Sequence, residues 1–452
     1  MTEYSYTNLV LYSYGKCNLN CRYCTIDKNP SLNDLDKLLE DSFTNYETDY
    51  VPRIEKYFPN NTLTQVETWG GEPLARIERI FPLLNYIINH QSNFKTFFSS
   101  TNFSYTWWFD EIKALIDFFS EYSGRTFEIK IQLSCDGPEY INDRNRGKGV
   151  TKRCLDNISK LCNYLKNTKL SSNLHLLFAV KPTLTMDDLR STFQNKDKIV
   201  EYYKFFEDSI ISKIEETQEN NPNIVYQMTW PNLAVPSEVT KEDGILFTNT
   251  CRLCTEINKE CEKYFNYYCE TKPFTTNQAD QKQSWSYTMS IENRMCRTCG
   301  TGVYSLHLLP QNLYTTCYMS YVDLVDSYKT YRATHGNDKV VQLGDLSVSN
   351  HIMSVLNEEQ LEKFYSHSKV MCENRDLSVA RFNLTSIVAL ANADQIDIKY
   401  LNKLEALKAL QYMKILEVHC LHAGEAVCST MTLQPIDMFK LMLNGAIEYY
   451  EK

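Results

Sequence analysis

Residues 8–24 read NLVLYSYGKCNLNCRYC and combine an apolar segment with a loop of three cysteines. The first part, residues 8–14, is apolar and aromatic and predicts a buried β-strand. Directly after it, Cys17, Cys21 and Cys24 stand in C-x-x-x-C-x-x-C spacing. Three thiolates on one short loop can hold three irons of a four-iron cluster and leave the fourth iron open to a small molecule. A zinc site with a distant fourth ligand is the alternative.

Beyond this segment, extended and helical patterns alternate through the first half of the chain. Five more strands are predicted at residues 65–69, 95–99, 127–133, 174–180 and 225–230. Helical patterns are found at residues 34–58, where Pro52 is expected to break the helix, and at residues 77–90, 109–122, 152–166 and 186–214. This alternation predicts an α/β fold with a parallel sheet, open or closed, whose ligands lie at the carboxyl ends of the strands.

The composition excludes several classes of protein. The 452 residues carry 47 Lys and Arg against 56 Asp and Glu, a net charge of −9, so the chain as a whole offers no basic surface to nucleic acid or an anionic membrane. The start lacks the basic region of a signal peptide, and no apolar run is long enough to span a membrane. We therefore expect a cytoplasmic protein with no membrane or nucleic-acid partner. In a reducing cytosol, those of the 16 cysteines that are grouped are expected to be ligands or redox-active thiols.

Two further polar motifs follow predicted strands. Residues 70–73 read GGEP, where glycines allow close backbone approach and Glu72 supplies an acceptor suited to an ammonium group. Residues 134–138 read SCDGP after the fourth strand, and Arg146 follows them. Each motif alone is a common turn signal. Because both stand at the same edge of a parallel sheet as the cysteines, together they predict one site.

These motifs together resemble the radical S-adenosylmethionine enzymes, specifically the branch whose carboxyl-terminal SPASM or twitch domain holds auxiliary iron–sulfur clusters. The resemblance covers most of the chain. It implies a partial (β/α)6 TIM-like barrel as a core domain in residues 1–238 and a helical bridging region in residues 239–290. It further implies a small α+β, cysteine-rich auxiliary-cluster domain with carboxyl-terminal helices in residues 291–452.

In that family the cysteine loop binds a [4Fe-4S] cluster whose open iron chelates the methionine end of S-adenosylmethionine. The resemblance therefore implies that Cys17, Cys21 and Cys24 are metal ligands. The implied cofactor-binding residues are Tyr23, Gly70, Gly71, Glu72, Pro73, Asn102, Ser134, Asp136 and Arg146. Two residues depart from the family pattern, since Asn142 stands where histidine is common and Phe103 stands where glycine is usual. Phe103 bears on the backbone conformation at residue 103, where glycine is usual.

A second group of cysteines resembles the start of a SPASM domain. Cys296 and Cys299 are followed by a Pro-x-Asn turn and by Cys317. Asn312 takes the place of the usual glycine in that turn, and asparagine enters the left-handed region at little cost. Of the dense cysteine run that follows in the family, Cys372 stands near the expected start. The resemblance implies one auxiliary [4Fe-4S] cluster on these four cysteines, with a zinc ribbon as the alternative.

The remaining cysteines allow more than one interpretation. One set falls on one face of a predicted helix: Cys251, Cys254, Cys261 and Cys269. That placement favours core packing, with a ligand role for one or two members as the alternative. Cys420 and Cys428, near two histidines, could close a cluster, bind zinc or be structural. Three more are most simply core residues: Cys135, Cys154 and Cys162.

The resemblance also implies an activity. Reductive cleavage of S-adenosylmethionine would yield a 5'-deoxyadenosyl radical that abstracts hydrogen from a substrate. Substrates in this branch are commonly peptides or proteins, which become cross-linked, oxidised or epimerised, and the electron donor would be a flavodoxin or ferredoxin. The alternatives are the same radical chemistry on a small molecule, or a non-catalytic iron–sulfur or zinc binding protein. No residue can be assigned as general base or hydrogen donor.

Overall fold

The computed structural model describes residues 4, 6–24, 32–122, 124–228, 232–234, 246, 253, 305–315, 357–359, 361, 362 and 365. Ten of the cysteines lie outside the described residues: Cys251, Cys254, Cys261, Cys269, Cys296, Cys299, Cys317, Cys372, Cys420 and Cys428. The auxiliary cluster and the bridging region therefore stay predictions. No helix within the described ranges has the length and apolar character needed to cross a lipid bilayer.

The described strands form one large sheet and one small one. The strands of the main sheet are β1 (Asn8–Tyr14), β2 (Gln65–Gly70), β3 (Thr96–Thr101), β4 (Phe127–Leu133), β5 (Leu174–Val180), β7 (Ile224–Met228), β9 (Ser305–Leu309) and β10 (Leu313–Thr315). The small sheet pairs β6 (Thr183–Thr185) with β8 (Asn232–Ala234) in parallel. The eight strands of the main sheet lie in the order β10-β9-β1-β2-β3-β4-β5-β7, and among them β10 alone runs antiparallel to its neighbour.

The six strands predicted in the first half of the chain are all present and pair in parallel in chain order. The predicted α/β fold with a parallel sheet is therefore confirmed. Because each connection moves to the next strand in the same direction, right-handed crossovers place the connecting helices on one face of the sheet. Such an arrangement is compatible with a partial barrel of the TIM type.

The helices of the described chain are α1 (Leu32–Thr44), α2 (Tyr46–Asp49), α3 (Val51–Tyr57), α4 (Phe81–His90), α5 (Trp108–Ser120), α6 (Glu139–Arg146), α7 (Val150–Asn167), α8 (Met186–Ser191), α9 (Lys196–Phe206) and α10 (Ser212–Glu215). Short 3₁₀ turns occur at Pro59–Asn61 and Ile77–Ile80, and a π turn at Glu207–Ile211. The helical region predicted at residues 34–58 is divided at Asn45 and Tyr50. The break was expected at Pro52, which instead lies in the first turn of α3, where a backbone N–H is not needed.

The two faces of the main sheet differ in burial and polarity. One face packs into the hydrophobic core with the helices and is almost fully buried, as Val66, Phe97 and Ile131 show. Within β2, β3, β4, β5 and β7 the half-buried side chains all lie on the other face, which we call the open face: Gln65, Glu67, Trp69, Phe98, Ser100, Lys130, Gln132, His175 and Gln227. A parallel sheet buried on both faces is apolar on both. The mostly polar open face is therefore suited to a ligand or to solvent rather than to core packing.

A hairpin made of β9 and β10 extends the sheet beside β1. Gln311 and Asn312 at its turn have φ values of 62° and 58°, so Asn312 adopts the left-handed conformation expected at the glycine position. Arg53 of α3 is buried and donates hydrogen bonds to the carbonyls of Leu309 and Leu313, each at 2.9 Å. Helix α3 therefore holds the hairpin on the sheet. The hairpin belongs to residues 291–452, predicted as the auxiliary-cluster domain, and that part of the chain thus adds two strands to the main sheet.

Candidate functional site

The cysteine loop begins at the carboxyl end of β1. Cys17 and Cys21 are half-buried, Cys24 is exposed, and none of the three forms a disulfide with another described cysteine. The backbone N–H of Leu19 donates to Cys17 Sγ at 3.4 Å, and the side-chain amide of Asn102 donates to the same sulfur at 3.5 Å. Hydrogen bonds of this kind favour a thiolate, which is the form that ligates a metal.

The loop supplies a donor set that suits an iron–sulfur cluster. Burial raises the pKa of Cys17 to about 12, and Glu72, Cys21 and Cys24 are near enough to add to the rise. Several groups that become anionic at one place are stabilised by a bound cation. Within the described ranges, no three or more His, Cys, Asp or Glu side chains converge on one point as ligands of a single ion, and a cluster does not need this, since each thiolate binds its own iron. Three thiols on one loop fit three of the irons of a four-iron cluster.

Gly70 and Gly71 bring the turn after β2 against the entrance to the cysteine loop. Gly71 N donates to Tyr14 O at 2.9 Å, and Glu72 N donates to Lys16 O at 2.8 Å. Gly70 has a φ of 139°, and a Cβ on it would lie 2.2 Å from Tyr14 O. A Cβ on Gly71 would lie 2.3 Å from Lys16 O. We expected these glycines to admit a ligand, and the structure shows that they admit the backbone of the neighbouring loop; their contact with a ligand stays a prediction.

Glu72 is a buried carboxyl group, 2% exposed, beside this turn. Its Oε2 accepts a hydrogen bond from Asn102 N at 2.8 Å, whereas its Oε1 has no hydrogen-bond partner among the described residues. Burial raises the pKa of Glu72 to about 7. An ammonium group would satisfy the unpaired oxygen and favour the charged carboxylate. Pro73 fixes the turn, since its carbonyl accepts a hydrogen bond from Ser13 Oγ at 2.5 Å.

Asn102 joins Glu72 to the cysteine loop. Its backbone N–H donates to Glu72, and its side-chain Nδ2 donates to Asn18 Oδ1 at 2.8 Å as well as to Cys17 Sγ. Its Oδ1 accepts hydrogen bonds from Ser104 N at 3.0 Å and from Ser104 Oγ at 2.7 Å. One residue therefore contacts both the predicted ammonium acceptor and the first predicted cluster ligand.

Phe103, in the position of the usual glycine, keeps a left-handed backbone. Its φ is 38° and its side chain is fully buried. A positive φ in an aromatic residue costs about 1–3 kcal/mol and needs support from its surroundings. That support comes from Asn157 Nδ2, which donates to the Phe103 carbonyl at 3.0 Å, and from the Trp108 ring, whose centroid lies 5.9 Å away. The departure from the family pattern therefore leaves the left-handed turn in place.

Asp136 ties the cysteine loop to the ends of β4 and β5. It is fully buried, and its Oδ2 accepts a hydrogen bond from Tyr23 OH at 2.6 Å. Its Oδ1 accepts from Arg146 Nη2 at 2.8 Å and from Thr183 N at 2.9 Å. The guanidinium carbon of Arg146 lies 5.6 Å from the centroid of the Tyr23 ring. Arg146 Nε is buried without a hydrogen-bond partner in the described part of the chain, so one donor remains for a ligand.

Ser134 and Asn142 shape the chain around Asp136. Ser134 is half-buried at the end of β4, where its N–H donates to Thr101 O at 2.8 Å. Asn142 Oδ1 accepts from Asp136 N at 2.9 Å, and Asn142 Nδ2 donates to Thr151 Oγ1 at 3.0 Å. An asparagine in the place of histidine therefore closes the loop between β4 and α7.

The structure places the predicted residues of the first half of the chain at one end of the sheet. Cys17, Glu72 and Asn102 form one hydrogen-bonded set, and Tyr23, Asp136 and Arg146 form another. The cysteine loop joins the two sets, since it carries Cys17 of the first and Tyr23 of the second.

We did not predict Lys181 as a site residue, nor the polar open face of the sheet, from the sequence. The signal was present, since polar residues occupy alternate positions of β2 at Gln65 and Glu67 and of β4 at Lys130 and Gln132. Alternate polar residues on strands of a parallel sheet indicate a face that is not part of the core.

Comparisons with known proteins bear on the cysteine loop. Residues 7–120 match a family model described as a 4Fe-4S single cluster domain. No curated protein matches the chain. A similar solved structure is native anSMEcpe with bound AdoMet, which is 17% identical over 73% of this chain and 82% of that chain, with a TM-score of 0.40. Of the 16 cysteines, only Cys17, Cys21 and Cys24 fall within residues 7–120, so the iron–sulfur family model matches the part of the chain that carries the three-cysteine loop.

Proposed function

We propose that this protein is a radical S-adenosylmethionine enzyme that modifies a peptide or protein. The observation that carries the proposal is a pair of buried polar atoms beside the cysteine loop, the acceptor Glu72 Oε1 and the donor Arg146 Nε. Neither has a hydrogen-bond partner among the described residues. An amino acid presents an ammonium and a carboxylate group and so can satisfy both atoms. The methionine end of S-adenosylmethionine has this pair of groups.

Each part of the site has a task in this proposal. The three loop cysteines would hold a [4Fe-4S] cluster, which when bound supplies the electron that cleaves S-adenosylmethionine to methionine and a 5'-deoxyadenosyl radical. Glu72 accepts hydrogen bonds from the ammonium group, and Asn102 keeps Glu72 beside the loop. Asp136 holds Tyr23 and Arg146 together, which fixes the loop and aims the guanidinium.

The peptide or protein substrate is proposed from the resemblance of the sequence to the SPASM branch and from the open face. The backbone of a peptide needs both hydrogen-bond donors and acceptors, and the half-buried glutamines and charged residues of the open face supply both. A flavodoxin or ferredoxin would reduce the cluster. An auxiliary cluster on Cys296, Cys299, Cys317 and Cys372 would accept the electron that leaves the substrate.

Binding of S-adenosylmethionine to Glu72→Gln tests the observation that carries the proposal. The protein is reconstituted anaerobically with iron and sulfide, and binding is measured by equilibrium dialysis. We expect Glu72→Gln to bind about tenfold more weakly or worse, since a charge-assisted hydrogen bond is lost, with the iron content unchanged. Glu78→Gln, at an exposed position in the same connection, is the control and should bind as the wild type does. Equal affinity of Glu72→Gln and wild type would contradict the assignment.

The iron content of the same preparations tests the auxiliary cluster. We expect about eight irons for one auxiliary cluster, about four if the carboxyl-terminal cysteines bind zinc, and about twelve if a second auxiliary cluster is present. Zinc measured on the same samples separates the second case from incomplete reconstitution.

A further inference from the structure

Most charged residues that lie on the open face by register are paired with each other. Lys130 Nζ lies 3.3 Å from Glu128 Oε1, and Glu128 Oε2 accepts a hydrogen bond from Thr96 Oγ1 at 3.3 Å. Burial raises the pKa of Glu67, while a hydrogen bond from Trp69 and the positive charge of Lys130 oppose the rise. Lys130 is therefore paired with Glu128, and its positive charge also acts on Glu67.

Lys181 extends the open face at the carboxyl end of β5. Its N–H donates to Leu133 O at 2.9 Å, which continues the parallel pairing of Leu133 with Val180 by one residue. Val180 is fully buried in the core, and side chains alternate along an extended strand, so Lys181 lies on the open face. Thr183 N, two residues further on, donates to Asp136. Lys181 is therefore held at the edge of the sheet that carries the cofactor site.

The ammonium group of Lys181 has no counter-ion within the described residues. Its side chain is half-buried, and burial lowers its pKa to about 8. A cation taken partly out of water with no partner costs free energy, and a bound anion recovers that cost. Phosphate sites combine several donors, such as arginines and the amides of a helix N-terminus. One ammonium group matches the single charge of a carboxylate.

We infer that Lys181 binds a carboxylate group of the molecule that occupies the open face. The inference rests on the proposed function for the identity of that molecule. Two sources are open, namely the methionine carboxylate of S-adenosylmethionine and a carboxylate of the peptide substrate, from an acidic side chain or a carboxyl terminus. In the second case Lys181 selects substrates that are acidic near the modified residue.

The test compares three variants with the wild type, all reconstituted anaerobically. Lys181→Met removes the charge, Lys181→Arg keeps it, and Lys152→Met removes a charge from an exposed position of α7 as the control. The first arm measures the affinity for S-adenosylmethionine and for its decarboxylated analogue. The second arm measures the affinity for N-acetyl-Gly-Glu-Gly-amide and for the same peptide with glutamine. Circular dichroism establishes that each variant is folded.

The expected result is that Lys181→Met loses about tenfold or more in affinity for one of the two carboxylate probes, while Lys181→Arg and Lys152→Met do not. The matching probe without a carboxylate should bind all four proteins alike. A loss confined to the first arm identifies the cofactor as the source of the carboxylate, and a loss confined to the second identifies the substrate.

Affinities within twofold for every probe in Lys181→Met and wild type would overturn the inference. The inference would also be overturned if the wild type bound each carboxylate probe no more tightly than its matching probe without a carboxylate, in the first arm and in the second. Failure of the proposed function gives a different result, since the wild type would then cleave no S-adenosylmethionine, while the glutamate peptide arm would still report on Lys181.

Discussion

Asp136→Asn tests whether the contacts of Asp136 hold the cysteine loop in place. The substitution keeps the size of the side chain and replaces one carboxylate oxygen with an NH₂ group. If the NH₂ group takes the place of Oδ2, it cannot accept the hydrogen bond from Tyr23 OH at 2.6 Å. If it takes the place of Oδ1, it cannot accept those from Arg146 Nη2 at 2.8 Å and Thr183 N at 2.9 Å. The substitution also removes the negative charge beside Arg146.

The magnitude follows from the burial of this ion pair. Asp136 is 0% exposed and Arg146 is 6% exposed, so the guanidinium would be left in the interior without a counter-charge. Removal of one partner from a buried ion pair costs about 3–5 kcal/mol of the free energy of unfolding. Tyr23→Phe removes one hydrogen bond to a charged group and should cost about 1.5–3 kcal/mol.

Urea unfolding at neutral pH, followed by circular dichroism on the cluster-free protein, measures both losses. Glu139→Gln, at an exposed position of α6, is the control and should change the free energy of unfolding by no more than about 0.5 kcal/mol. We also expect the exposed thiol of Cys24 to react faster with a disulfide reagent in both variants, since the loop is less tightly held. Asp136→Asn with the stability of Glu139→Gln would refute this reasoning.

Three other substitutions follow from the same structure. Gly71→Ala should lower the free energy of unfolding by more than about 2 kcal/mol in urea, since its Cβ would lie 2.3 Å from Lys16 O, whereas Gly124→Ala, with no atom within 4 Å of the new Cβ, should not. Arg53→Met should cost about 3 kcal/mol and speed hydrogen exchange in the β9–β10 hairpin, since two buried carbonyls lose their donor. Lys181→Met should raise the free energy of unfolding by about 1–3 kcal/mol at pH 7, because burial disfavours the ammonium. That gain should disappear as the pH rises from the folded pKa of about 8 to the ordinary lysine pKa of 10.5, since above both values the lysine is neutral in either state.

Much of the fold could be predicted from local patterns. The strands at residues 8–14 and 174–180 are found within those bounds because their apolar residues are nearly continuous, and the strand at residues 127–133 is found because its apolar residues alternate with polar ones. The helical region at residues 34–58 was predicted with a break at Pro52, but the observed breaks at Asn45 and Tyr50 were not predicted, because the apolar spacing persists through them. Helix α2, between those breaks, packs against α1, α3 and α4, and contacts of this kind are not encoded by local propensity.

The sequence predicts which residues form the site better than it predicts what each of them contacts. Because the strands are parallel, Cys17, Glu72 and Asp136 had to meet at one edge of the sheet. The glycines were assigned to a ligand, and their close approach to the cysteine loop depends on the distance between two segments that are far apart in sequence. The pairing of Tyr23 with Asp136 likewise depends on side-chain positions that spacing cannot supply.

Reductive cleavage of S-adenosylmethionine by the reconstituted protein tests the central claim most directly. With dithionite as the electron source, wild type should form 5'-deoxyadenosine, and so should the control Cys162→Ala, which lacks a cysteine outside the loop. A protein with Cys17, Cys21 and Cys24 all changed to Ala should form none. Cleavage that persists in this triple variant would contradict the assignment of the loop as the site of the radical-generating cluster.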